Sequence, residues 1–261
     1  MFRTGLNTSK ALSIGVALWL LATAAPASAQ GGIAAWIERG YFNINLGFET
    51  TSGTLNDSTT FTIYEETGAL TMEQNVDSGS FFDFSVGGRV WRNVSVGVGY
   101  HRGGNTSEAS GAASVPHPTR FDANRTVALA AGDLDRTEQA FHIQIGYMFP
   151  ITEEISVHAT IGPSFFNLNQ DVLAGATYAE VGPPYSTVNA TPIIEERSDS
   201  VTGINAGVDV TYKFYTSDAY NIGAGAFLRY AGASARIRVI ENEVDSDVGG
   251  LQFGLGLRVR F

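Results

Sequence analysis

Four histidines, His101, His117, His142 and His158, are the first residues to test for chemistry. An imidazole can shuttle a proton, activate a hydroxyl or hold a metal near neutral pH. His142 and His158 lie on neighbouring chain segments, and both can face one interior. If Phe149 sits opposite Ile155 across the turn between them, His158 falls opposite Gly146. His142 then lies roughly 13 Å away, at about 3.3 Å per residue along a strand. That is too far to share a metal, so both are expected to line an interior. His101 is expected at the outer rim of its segment, with no nucleophile motif beside it. The expectation is therefore no catalytic residue, no cofactor and no metal.

Charged and stiff stretches offer other chemistry. Glu241, Glu243, Asp245 and Asp247 alternate near Arg236 and Arg238. Spaced carboxylates can hold divalent cations, but these lack the ligand order and glycine of a calcium loop. A solvated acidic loop with cross-strand ion pairs is expected instead. Val115-Pro116-His117-Pro118 runs into Thr119-Arg120-Phe121-Asp122. The two prolines stiffen this stretch. Pro116, His117, Pro118, Arg120 and Phe121 are thus either a recognition surface or a cap. Glu49, Asp83, Arg89, Asp209, Arg229 and Arg258, with Arg260, are expected to face one interior. Unpaired charges there would be costly, so they are expected to pair and to plug and brace the space.

The elements that position these residues read with period two. Leu251, Phe253, Leu255, Leu257, Val259 and Phe261 alternate with Gln252, Gly254, Gly256, Arg258 and Arg260. Successive side chains of a strand point to opposite faces. The same alternation marks residues 42–49, 82–90, 94–101, 141–149, 156–161, 204–214 and 221–230, giving eight segments. A soluble sandwich would turn the apolar face inward, whereas a membrane barrel turns it out to lipid.

Three features favour the membrane barrel. The polar face is rich in Gly, which suits a narrow interior. Aromatics cluster at segment ends: Tyr41, Trp91, Tyr100, Tyr147, Phe149, Tyr212, Phe214, Tyr220, Tyr230 and Phe261. Membrane barrels carry such girdles at both interfaces. Connections also alternate in length. Short turns are expected at Arg92-Asn93, Pro150 to Glu154 and Thr216 to Asp218, and long polar loops at about 50–79, 102–138, 167–201 and 232–248. Within the first loop, Thr60 to Gln74 reads as a hairpin turning at Glu65–Gly68. Gly162-Pro163 should bring a bulge or the end of regular pairing, because proline cannot donate to a ladder.

Composition agrees. The 261 residues hold no Cys, so neither a disulfide framework nor a thiolate metal site is available. Sixteen basic against 26 acidic residues give −10, the wrong sign for a nucleic-acid partner. Arg3 and Lys10 precede an apolar run at 11–25 and the small-residue site Ala27-Ser28-Ala29. That build reads as a cleaved signal peptide over 1–29, leaving 30–261 as one barrel domain. A run of about 15 residues is too short to span a membrane as a helix. No Cys follows the cleavage site, so no lipoprotein anchor is expected.

These features resemble the small eight-stranded outer-membrane β-barrel proteins of the opacity-protein, OmpA-transmembrane-domain and OmpX type. The resemblance covers residues 38–261, and its most specific part is the terminal strand ending at Phe261. It implies an all-β, transmembrane, up-and-down antiparallel barrel in the cell outer membrane, with short periplasmic turns and long outer loops. It also implies that Phe253, Leu255, Leu257, Val259 and Phe261 form the signal read by the barrel assembly machinery. The implied surroundings are outer-membrane lipids and lipopolysaccharide, with an extracellular ligand left open. No peptidoglycan-binding domain follows Phe261 here, so the anchoring role of larger members is not expected. An eight-stranded interior is just filled by side chains. The expected function is non-enzymatic, a surface-interaction or envelope-integrity role through the outer loops. The alternatives are a small porin-like channel or apolar-solute transporter, and a lipid-modifying enzyme.

Overall fold

The computed structural model describes residues 36–51 and 53–261; the expected signal peptide lies outside the described residues. Ten strands follow in order: β1 (Gly40–Thr50), β2 (Gly53–Ile63), β3 (Glu66–Val76), β4 (Gly79–Trp91), β5 (Val94–His117), β6 (Arg120–Pro150), β7 (Ile155–Val181), β8 (Thr187–Thr216), β9 (Asn221–Arg238) and β10 (Glu243–Arg260). Eight of them pair as β5–β4–β1–β10–β9–β8–β7–β6, and β6 closes back on β5. Every ladder is antiparallel. Closure satisfies the wall's backbone groups without water, as a bilayer requires.

The outward faces form an apolar belt. Ile44, Leu46, Phe84, Val98, Ile143, Ile161, Val210, Leu228 and Leu255 all stand exposed on it. One aromatic rim holds Phe48, Phe82, Tyr100, Phe141, Phe165 and Tyr230; the other holds Trp91, Phe149, Tyr212, Phe214, Tyr220 and Phe261. Water would not tolerate such a continuous patch on a monomer, whereas lipid covers it. The fold is that of a transmembrane β-barrel of the outer-membrane type. Tyr41 does not join a girdle. Its parity turns it inward, and it is only 1% exposed.

The short turns fall where expected, at Arg92-Asn93, at 151–154 and at 217–220. The long polar loops do not exist as loops. Strands β5 and β6 run on to a tip at 118–119, β7 and β8 to 182–186, and β9 and β10 to 239–242. The first connection is the β2–β3 hairpin, whose turn residues Tyr64 and Glu65 have φ of 55° and 63°. The hairpin is the expected one, and its turn is shorter than Glu65–Gly68, sharing only Glu65 with it. Strand β3 joins β5 through Ala69–Gln74 against Ala109–Ser114.

The reason is a change of faces along each strand. On β7, Ile155, Val157, Ala159, Ile161 and Phe165 point outward, and Asn167, Asn169 and Asp171 follow them. Its inward positions change the other way, from Ser156, His158, Thr160 and Ser164 to Phe166, Leu168 and Val172. Parity is unbroken, but the apolar residues move from the lipid side to the inside. Leu55, Val76, Phe166, Leu168, Val172, Ile237 and Val248 then pack as an apolar core above the belt. A second cluster adds Met72, Leu134, Leu173 and Val239, and a third adds Leu70, Val115, Leu129 and Val188. Each buried aliphatic side chain contributes roughly 1.5–3 kcal/mol.

One register differs from expectation. Phe149 pairs with Val157, which puts His158 opposite Met148 rather than Gly146. The turn is tight because the N–H groups of Ile151 and Thr152 both donate to the Ile155 carbonyl. At Pro163 there is no bulge, but the expected loss of regular pairing occurs on one side, where the β6–β7 ladder omits Gly162 and Pro163. The β7–β8 ladder passes through Pro163 opposite Ile204, and the β6–β7 register is the same on both sides of a short gap. The Asn205 amide donates to the Gly162 and Pro163 carbonyls at 3.0 and 3.1 Å. A Cβ at Gly162 would lie 1.9 Å from the Ile143 carbonyl oxygen, so only glycine fits this close approach.

Candidate functional site

The barrel interior is filled in layers. At the turn end, Trp36, Tyr41 and Met148 form a small apolar plug. The His158 ring stands edge-on to Tyr41 at 5.1 Å. Arg89 donates to the Trp36 carbonyl there and does not meet the other expected network residues. Next, Arg260 donates to Asn43 at 2.6 Å and to Thr211 at 2.9 Å. Arg258 holds Asp209 through Nε at 2.9 Å and Asn45 at 2.6 Å.

Above these, Arg229 donates to Asp83 at 2.8 Å and to Gln252 at 2.5 Å. Gln252 in turn donates to Glu49. His101 sits in this layer, 3.5 Å from Glu49, level with the rim that holds Tyr100 but turned into the interior and 1% exposed. Strand β5 does not end there but continues to His117. A last polar layer joins Arg136 to Glu138 at 2.8 Å, to Gln170 at 2.5 Å and to Ser246 at 3.0 Å. A gap of about 40 Å³ remains among Asn43, Asp83, His158, Asp209 and Arg229. It has room for little more than water.

Arg136, Glu138 and Gln170 are not legible by composition, because they lie in polar stretches with the composition of loops. Inward parity carried up β6 from His142 through Ala140 would have found Glu138 and Arg136. Two Ser–His contacts were also missed. Ser95 lies 2.8 Å from His158, and Ser164 lies 2.7 Å from His142. Both serines are 0% exposed, so no substrate reaches them. The second ring nitrogen of His142 has no partner, whereas a serine nucleophile's base needs an orienting group. Among the described residues, no three metal-ligating side chains come together.

The outer hairpins are tied to one another. Arg125 donates to the Pro116 carbonyl at 2.6 Å, to Glu180 at 2.7 Å and to the Tyr185 carbonyl at 2.9 Å. The Tyr64 hydroxyl also donates to Glu180, at 3.1 Å. Three tips therefore meet at one ion pair. Hydrogen bonds from Arg125 hold the Glu180 carboxyl below its ordinary value. On the other side, Asp57 accepts from the Ile240 N–H at 2.9 Å and the Asn242 amide at 2.7 Å. Burial pushes the Asp57 carboxyl up, but these hydrogen bonds outweigh it and the net shift is downward.

The stiff β5–β6 tip divides. Pro116 and His117 are buried, while Arg120 and Phe121 are exposed, Phe121 at 77%. The His117 ring accepts from the Thr119 N–H at 3.2 Å. In the acidic row, Glu243 stands opposite Arg238 and Asp245 opposite Arg236. The Arg236–Asp245 pair is 3.7 Å apart and open to water. Phe253, Leu255, Leu257, Val259 and Phe261 stand on the outward side of the terminal strand.

Charge is partitioned along the barrel. Segments 50–79, 102–138, 167–201 and 232–248 hold 7 arginines and 19 carboxylates, a net −12. The other residues from 36 onward hold 7 basic and 7 acidic side chains, a net of zero. All the excess charge lies on the outer hairpins.

The chain matches no family model and no curated protein. Solved structures similar to it include Neisserial surface protein A, at 13% identity and a TM-score of 0.41, covering 85% of this chain and 97% of that one. OprG from Pseudomonas aeruginosa aligns at 11% identity and a TM-score of 0.42, over 86% of this chain and 97% of its own. Ail, the attachment invasion locus protein of Yersinia pestis, aligns at 11% identity and a TM-score of 0.37, over 84% and 99%. At this level the architecture rests on the chain's own ladders and belt.

Proposed function

We propose that this small eight-stranded outer-membrane β-barrel is a non-enzymatic surface protein whose outer hairpins form a rigid docking platform. The change of faces carries the reading. Above the belt the inward residues become apolar, so the hairpins pack into a second storey instead of moving as free loops. A platform ordered in advance loses little conformational entropy on binding. Its net −12 favours partners that present positive charge, with association that weakens as salt rises. Arg120 and Phe121, at the exposed part of one tip, are the proposed first contacts. The outward stripe from Phe253 to Phe261 is proposed as the signal for the assembly machinery.

The filled lumen supports this reading over a channel. The test is planar-bilayer conductance of folded protein, with folding checked by heat-dependent gel mobility. A silent bilayer is expected, together with salt-sensitive binding of protein-bearing vesicles to basic but not acidic protein surfaces. Discrete openings that shift when Asp83 or Arg229 is neutralised would overturn it and make the lumen the site. A protein-dependent mass change in the vesicle lipids would favour the enzyme.

A further inference from the structure

One groove lies on the lipid-facing side of the wall and takes no part in the platform. It has a volume of about 670 Å³ and crosses β10, β1, β4, β5 and β6. Strand register orders its lining into two rows. One row runs Thr137, Gly104, Ser80, Phe48, Phe253, and the other runs through Arg102, Phe82, Leu46 and Leu255. The small residues Gly104 and Ser80 make the depression. One end is therefore a guanidinium with two hydroxyls, and the other is five apolar side chains.

Arg102 is the first outward residue above the belt on β5, after Val96, Val98 and Tyr100. It is exposed, and its guanidinium has no hydrogen-bond or ion-pair partner among the described residues. Its neighbours in register are Phe82 and Gln139, neither of which is charged. An unpaired cation at the rim contrasts with the net −12 of the outer segments, which would repel an anionic headgroup elsewhere around the barrel.

We propose that this groove binds a lipid of the surrounding leaflet whose phosphate headgroup carries a net negative charge. The phosphate sits on Arg102, with the Ser80 and Thr137 hydroxyls beside it, and one acyl chain lies over Leu46, Phe48, Phe82, Phe253 and Leu255. Guanidinium-to-phosphate bonds are charge-assisted and directional. The chain end adds burial that a free phosphate cannot supply.

The test is lipid retention by native mass spectrometry, from nanodiscs of equal phosphatidylglycerol and phosphatidylcholine. The unsubstituted protein should retain phosphatidylglycerol preferentially. Arg102→Gln should lower that preference about fivefold, the worth of one interfacial arginine. Arg238→Gln removes the same charge from an outer hairpin away from the groove and should leave the preference unchanged. Ser80→Phe fills the depression, keeps Arg102, and should also reduce retention. Equal losses in Arg102→Gln and Arg238→Gln, or no loss in either, would overturn the proposal. So would glycerol phosphate displacing the lipid at equal concentration, because the headgroup alone would then suffice.

Discussion

Arg229 is the most informative side chain to remove. It donates to Asp83 and Gln252, and both members of its ion pair are at most 5% exposed. At 2.8 Å the Arg229–Asp83 attraction is on the order of 6 kcal/mol for an effective dielectric of about 20. Desolvation of two buried ions offsets much of that, so the pair as a whole adds little net stability. Breaking it from one side is different. Arg229→Gln leaves Asp83 buried without its cation, and Glu49 loses the chain of bonds that reaches it through Gln252. The expected loss is about 3–5 kcal/mol. Asp83→Asn combined with Arg229→Gln removes both charges and should recover most of it. The assay is equilibrium unfolding in lipid vesicles, followed by fluorescence and gel mobility. Equal losses in the single and double variants would refute the reasoning, because the cost would then come from packing. Conductance of both variants adds a second readout: the single variant should stay silent, since the layers above and below remain filled.

Other outcomes follow from the change of faces and the tied tips. Leu255→Arg, in the belt, should cost about 2–4 kcal/mol, whereas Asn167→Arg, outward but above the belt, should cost near zero; unfolding in vesicles measures both. Leu168→Ala truncates a side chain only 1% exposed and should cost about 2–5 kcal/mol. Limited proteolysis of the outer hairpins would reveal the same loss as faster cleavage. The Glu180 carboxyl is held below its ordinary value of 4.5, so the stability it adds is present above that value. That stability is lost as pH falls through the lowered value. Protection of the tip amides, taken relative to their intrinsic exchange rates, should fall in acid, and Arg125→Gln should remove that pH dependence.

Residue types alone determined the membrane-spanning part. Lipid on one side and a narrow, closed interior on the other give a strict apolar-out alternation, and segments such as 251–261 and 204–214 carry it plainly. Register was less legible: a difference of two residues in the 151–154 turn moved His158 from Gly146 to Met148. Above the belt, tertiary structure decided. Water replaces lipid outside, so apolar residues such as Leu168, Val172, Ala113 and Val115 turn inward, and the same period-two pattern carries the opposite chemistry. Sorted by composition, those stretches look like polar loops. Which lumenal charges meet was likewise set by closure, because Arg229 and Asp83 are 146 residues apart and Arg258 and Asp209 are 49 apart. Sequence spacing does not encode distance across a ring; strand order and shear do.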